Sequence, residues 1–238
     1  MKTEINQDDV KKIADNCMEK FNLLNTILGK EYHYASLPLA IIDAVFSIRV
    51  NYSCASNVVK RYCTYYNLPV EKSATAPAHT VSNLIQNIES LGSSEKFANE
   101  VLNNTHKTAG KNPILKAEAV YQWAKVLKEF RIETFEDMQK ADKQLLGKKL
   151  QEIHGQGKEV VKYFFMLCGD ENFVKADIWI LQFLSSILQR DVKDVEAEPL
   201  LKAVAIELRQ ENSGITPRLL DNIIWQYQRS LGKKNNIY

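Results

Sequence analysis

Glycine and proline are scarce in this chain: nine and six among 238 residues. Both residues punctuate strands and turns. Their rarity, and the lack of an Asn-Gly or Asp-Gly hairpin between alternating runs, argues against a sheet. No segment recurs at a fixed period, which excludes solenoids and propellers. Long apolar runs are missing as well, so no stretch is fit to span a bilayer. The opening MKTEINQDDVKK has no apolar core of the signal-peptide kind. A cytoplasmic protein with no membrane partner is expected.

Cysteine is sparse and unpatterned. Cys17, Cys54, Cys63 and Cys168 form no CxxC pair and sit in apolar, helix-like stretches, which suits free buried thiols in a reducing compartment. No cysteine follows Cys168, so a C-terminal iron–sulfur cluster lacks its ligands. His33, His79 and His106 have no mutual spacing that suits zinc. No metal and no cofactor is expected. A large charge of one sign is also lacking: the net charge is +2. That excludes a strongly basic architectural protein but leaves room for a local basic strip.

What is present is ordinary globular material, 45% hydrophobic and 25% charged, arranged with helical periodicity from end to end. Asp8 or Asp9 can cap a first helix with apolar positions Val10, Ile13, Ala14, Cys17, Phe21, Leu24 and Leu28, stopped by Gly29. Ser36 opens LPLAIIDAVFSI, apolar nearly all round and so a central core helix. Further helices are expected at 55–66, 80–90, 114–130 after Asn112-Pro113, from Thr134 with Asp137 as a capping pair, 142–153, 158–167, and 177–188. The last two would open at Glu198-Pro199 and Thr216-Pro217, the final one ending near Gly232. The expected fold is all-α: one domain over residues 1–238, with two lobes.

The most informative stretch is 150–184, LQEIHGQGKEVVKYFFMLCGDENFVKADIWILQFL. A helix ends at Ile153, a tight turn holds Gly155 and Gly157, and a second helix starts at once. Glycines at i and i+2 allow positive φ and leave amide hydrogens uncovered. At a helix N-terminus beside Lys158, those amides form a phosphate site. The other reading is that the glycines merely join two tightly packed helices.

The segment resembles the helix-hairpin-helix–Gly/Pro/Asp superfamily of DNA glycosylases. Its hallmark is a hairpin L-x-G-x-G followed about twenty residues later by an aspartate that opens a helix. Ile153-His154-Gly155-Gln156-Gly157 stands for the hairpin, and Asp177 lies twenty positions after Gly157. Phe173-Val174-Lys175-Ala176-Asp177 occupies the place of the family's Val-Asp-Thr-His or Pro-Asp segment. LPLAIIDAVFSIRVNYS, Lys116 to Phe130, and Leu220 to Trp225 resemble the family's early core helix, the helix before the hairpin, and a closing helix. The resemblance covers roughly residues 35–230, with the hairpin at 150–168.

Two departures stand out. Bifunctional members carry a Schiff-base lysine two positions after the second hairpin glycine, and that position here is Glu159. Lys158 is one place early, which on a helix turns it about 100° away. The cluster cysteines are also missing. The resemblance thus implies a member without the lyase lysine and without the iron–sulfur cluster. It would bind double-stranded DNA, flip a damaged or modified base, and hydrolyse the N-glycosidic bond without cutting the strand.

In that reading Asp177 is the catalytic residue, stabilising an oxocarbenium-like sugar; as a good N-cap it has a purely structural role open to it as well. His154, Gly155, Gln156, Gly157, Lys158, Lys162 and Lys175 are the DNA-backbone candidates. Arg49, Asn51 and Tyr52 are placed to fill the gap left by a flipped base, unless they are plain surface residues. Trp123, Trp179 and Trp225 read as core, with Trp179 also a candidate pocket wall. The competing functions are a non-catalytic DNA-binding or interaction module on the same fold, which Glu159 encourages, and a helical protein-interaction domain without nucleic acid.

Overall fold

The computed structural model describes residues 5–24, 26–29, 34–47, 52–72, 78–172 and 174–235. Among them are twelve helices. They are α1 (Gln7–Lys20), α2 (Leu37–Phe46), α3 (Tyr52–Tyr66), α4 (Val81–Ser90), α5 (Ser94–Lys96), α6 (Lys116–Glu129), α7 (Phe135–Lys140), α8 (Lys143–Glu152), α9 (Lys158–Leu167), α10 (Ile178–Leu188), α11 (Asp194–Leu208) and α12 (Pro217–Asn235). A π-helical turn, Phe97–Val101, continues α5. No described residue belongs to a strand; the isolated bridges Tyr34–Glu71 and Lys107–Leu115 are all the β pairing among them. The fold is all-α, and no helix among the described residues is long and apolar enough to cross a membrane.

Contacts divide the chain into two units, Gly29–Gly169 and a second made of Met1–Leu28 with Asp170–Tyr238. The first unit is built on α2, all ten of whose residues are buried. Trp123 and Phe164 meet edge to face at 5.2 Å in its core. Two buried polar anchors interrupt it. Asp43, in the middle of α2, accepts hydrogen bonds from Tyr34 Oη at 2.7 Å and from Tyr163 Oη of α9 at 3.3 Å. Lys116 donates to the Phe46 carbonyl at the end of α2, at 3.1 Å, which answers an unsatisfied helix terminus with a charge of the right sign. The second unit packs α1, α10, α11 and α12 around Ile13, Phe183, Leu201, Leu220 and Ile224.

Several helix limits differ from expectation for definite reasons. Asn6, not Asp8 or Asp9, caps α1, through Asp8 N at 2.9 Å. The helix stops at Phe21, which turns extended while its ring stacks on Phe183 and meets Tyr227 edge-on. Leu24 beyond it is 68% exposed. Asn112 does not cap α6: it sits at φ +56 in a turn, and the helix begins at Lys116. Pro199 lies inside α11 instead of opening it, because Glu196 closes the N-terminus back on Lys193 N at 3.2 Å. Pro199 has no amide to donate to the Val195 carbonyl one turn back, and Val195 is an exposed residue. The α5 and π-turn segment was not foreseen, although Phe97, Ala98, Val101 and Leu102 have helical spacing. Thr80 with Asn83 and Thr134 with Asp137 form reciprocal capping boxes. Asp177 caps α10 as expected, and Asp142, expected as the first residue of its helix, is the cap of α8.

Two outcomes follow for stability. Trp123 is fully buried, so Trp123→Ala is expected to lower the unfolding free energy by about 3–5 kcal/mol in urea titrations. His79, whose Nε2 bonds Tyr62 Oη at 2.8 Å, is held by burial down to a pKa of about 4. The unfolded histidine, near 6.5, takes a proton first. Stability is therefore fully present above about pH 6.5 and is lost as pH falls towards 4, and His79→Gln should flatten that limb in a pH series of thermal melts.

Candidate functional site

The hairpin belongs to the first unit. Asp142 Oδ1 caps α8 through Gln144 N at 2.9 Å and Leu145 N at 3.0 Å. At Gly147 a Cβ would lie 3.4 Å from Val161 and 3.5 Å from Phe165, so α8 and α9 approach closely there. Ile153 ends α8 in an extended conformation, and the Gln156 amide closes the turn on the Ile153 carbonyl at 3.1 Å.

The two hairpin glycines do different things. Gly155 has φ +75, and a Cβ on it would fall 2.5 Å from Thr108 Cβ and 2.9 Å from the Ala109 carbonyl. Neither the dihedral nor the space admits a side chain. Gly157 has φ −81, an ordinary value, so the expectation of positive φ at both glycines holds only for the first. A Cβ on Gly157 would meet nothing within 4 Å. It is the N-cap of α9 and offers no side-chain cap, so the first amides of α9 are left for an outside acceptor.

The other hairpin residues divide by burial. Lys158 is exposed. Glu159 is 74% exposed and pairs with Lys162, one turn on, at 3.7 Å. Gln156 is only 2% exposed, and neither atom of its side-chain amide has a hydrogen bond. His154 is half-buried against Gly110, its Nε2 likewise unbonded.

Asp177 belongs to the second unit. Its Oδ1 accepts from Trp179 N at 3.0 Å and Ile180 N at 3.2 Å, and its own amide bonds the Lys175 carbonyl at 2.7 Å. Oδ2 takes no part in the cap, so capping leaves one carboxylate oxygen available. Lys175 is exposed and Trp179 half-buried. Arg49 and Asn51 lie outside the described residues; Tyr52 opens α3, but its side chain is outside them too.

Sequence reasoning passed over one further group here. Asp221, on α12, accepts the Lys175 backbone N–H at 3.1 Å. Burial, reinforced by the charge of Asp177, pushes its carboxyl up to about 8 against the pull of Lys175. The available signal was a lone acid in the apolar run LLDNIIW. A depression of about 230 Å³ in the same unit is lined by Leu24, Ile27, Glu171, Asn212 and Thr216, among others, and by none of the residues singled out above. No group of His, Cys, Asp and Glu among the described residues is arranged to hold a metal ion.

The all-α fold has a counterpart among solved structures. The chain matches the structure described as MBOgg1 in complex with low affinity DNA ligand, with a TM-score of 0.54 at 14% identity. The match covers 82% of this chain and 61% of that one. The likeness establishes the fold, and the chain spans about 61% of that protein's length. By sequence it belongs to the family described as Domain of unknown function DUF8548, whose model matches residues 11–229. No curated protein matches it.

The contrast between the glycines is measurable. Gly155→Ala is expected to destabilise by about 2–4 kcal/mol, through left-handed strain and collision with Thr108. Gly157→Ala should change stability by less than about 1 kcal/mol in the same denaturant titration.

Proposed function

We propose that this protein is a DNA N-glycosylase of the helix-hairpin-helix–Gly/Pro/Asp type, monofunctional, in which both units act together as one domain on double-stranded DNA. The observation that carries the reading is the head of α9: an uncapped helix N-terminus at Gly157, beside exposed Lys158, with open space where a side chain would stand. Such an end offers amide donors and a positive dipole to a backbone phosphate. The fold shared with a protein seen in a DNA complex supports this choice of ligand.

In the proposed reaction the target base is turned out of the stack and its bond to C1′ breaks, leaving positive charge on the sugar. The Asp177 oxygen not used in capping stabilises that charge and orients the attacking water. Lys162 and Lys175 extend the phosphate contacts, and Arg49, Asn51 or Tyr52 fill the vacated stack. Trp179 stands two residues beyond Asp177 as an apolar wall. With Glu159 at the position of the lyase lysine, the abasic strand is left uncut. Glu159 also favours the second reading, a DNA-binding module without catalysis, because it sets a carboxylate in the first turn of the phosphate-binding helix.

The test is incubation with a panel of duplexes carrying damaged or modified bases, then alkali to reveal abasic sites. Base release without spontaneous strand cleavage is expected from the wild type. Asp177→Asn preserves the cap, since Asn is as good an N-cap, and should lower release at least about 100-fold while DNA affinity holds. Full activity in that variant removes Asp177 from the mechanism. Affinity should also fall steeply as salt rises; a flat salt series would rule out phosphate contacts.

A further inference from the structure

Asp221 and Asp177 hold the chain of the second unit on either side of Ala176. Asp221 Oδ1 takes the Lys175 amide at 3.1 Å from α12, while Asp177 fastens the end of the segment to α10 through Trp179 N and Ile180 N. Between them the Asp177 amide closes on the Lys175 carbonyl at 2.7 Å. The carboxyls are also electrostatic neighbours. Asp177 and Lys175 are the charged groups that act on Asp221. On α12, Arg218 pairs with Glu171 at 3.2 Å and Arg229 covers the Trp225 ring. On α11, Glu196 pairs with Arg190 and Glu198 with Lys202. The helical residues of α10 include no ionisable side chain.

We infer that Asp221 is the positioning residue of the Asp177 site: reaching from α12, its carboxyl holds the Lys175 amide and so fixes the segment that ends in Asp177. The inference rests on reading Asp177 as the group that faces the sugar cation. A carboxyl with a pKa of about 8 is neutral at pH 7. Its carbonyl oxygen still accepts the Lys175 amide. Above that pH Asp221 ionises, repels Asp177, and loosens the segment that holds it.

Two variants separate hydrogen bond from charge. Asp221→Asn keeps a carbonyl acceptor for Lys175 N and never ionises; Asp221→Leu loses the acceptor. Wild-type base release should fall about tenfold from pH 7 to pH 9, and Asp221→Asn should stay level within about twofold. Asp221→Leu should lose about tenfold in base release at pH 7. An alkaline fall that persists in Asp221→Asn, or wild-type activity in Asp221→Leu, overturns the inference.

Thermal melts against pH give a readout that needs no substrate. The folded carboxyl lies above its unfolded value of about 3.9, so the folded state keeps a proton that the unfolded state has lost. The group's contribution to stability is then full below about pH 4, declines as pH rises to about 8, and is level beyond. Asp221→Asn should remove that slope, and a slope unchanged in the variant overturns the inference. A chain that releases no base yet shows the slope, and loses it in Asp221→Asn, upholds the carboxyl arrangement and sinks the glycosylase reading alone.

Discussion

At Gly155 the backbone passes through φ +75 within 2.9 Å, measured from an ideal Cβ, of the Ala109 carbonyl. Everything on the hairpin side of the protein depends on that approach. The loop it touches is itself pinned, with Thr108 N on the Ile114 carbonyl and Lys116 N on the His106 carbonyl, each at 2.8 Å. The same loop delivers Lys116 to the end of α2. A side chain at position 155 would push against a loop tied at both ends, so strain could not be relieved locally. With Gly155 seated, α9 starts three residues later, and Asp43 of α2 reaches its Tyr163. A polar link inside an apolar core is costly to leave half-made, which makes it a device for fixing one packing of α9 over others.

The acids of this chain show how environment assigns different work to one side chain. Asp142 is an exposed cap and nothing more. Asp43 is buried and acts as an acceptor between two tyrosines. Asp177 caps a helix with one oxygen, and Asp221 is held largely protonated at neutral pH by its surroundings. Loss of water disfavours the charged form of a carboxyl, and a negative neighbour disfavours it further. Asp177 has two helix amides and the dipole of α10; Asp221 has one amide. Burial is the main cause of the raised Asp221 carboxyl, and the charge of Asp177 adds to it.

How much of this was legible in the sequence depended on the range of the interaction. The helices, the α8–α9 hairpin, and the caps at Thr134 and Asp177 follow from residues within a few positions of one another, and they were readable. The core character of α2 was readable from its composition alone. Gly155 and Gly157 looked alike because their difference lies in Thr108 and Ala109, more than forty residues away in sequence. Asn112-Pro113 and Glu198-Pro199 misled for a related reason: both are good helix openings in isolation, but tertiary turns and the Glu196 cap displaced them. Asp221 gave no local sign of its partnership with Lys175, since the contact spans 46 positions.

Glu159 is where chemistry and fold can be weighed against each other. A carboxylate in the first turn of a helix is favoured by the dipole, so the fold alone accounts for it. It is 74% exposed and engaged with Lys162 on its own helix, so its charge is turned to solvent and partly offset. A phosphate at the bare amides of α9 would meet Lys158 directly, with that offset pair one turn of side chains away. The substitution that removes a Schiff-base nucleophile is thus compatible with holding a strand. In the proposed reaction it changes the route after the base departs: with a carboxylate where the Schiff-base amine would stand, the sugar cation is met by water.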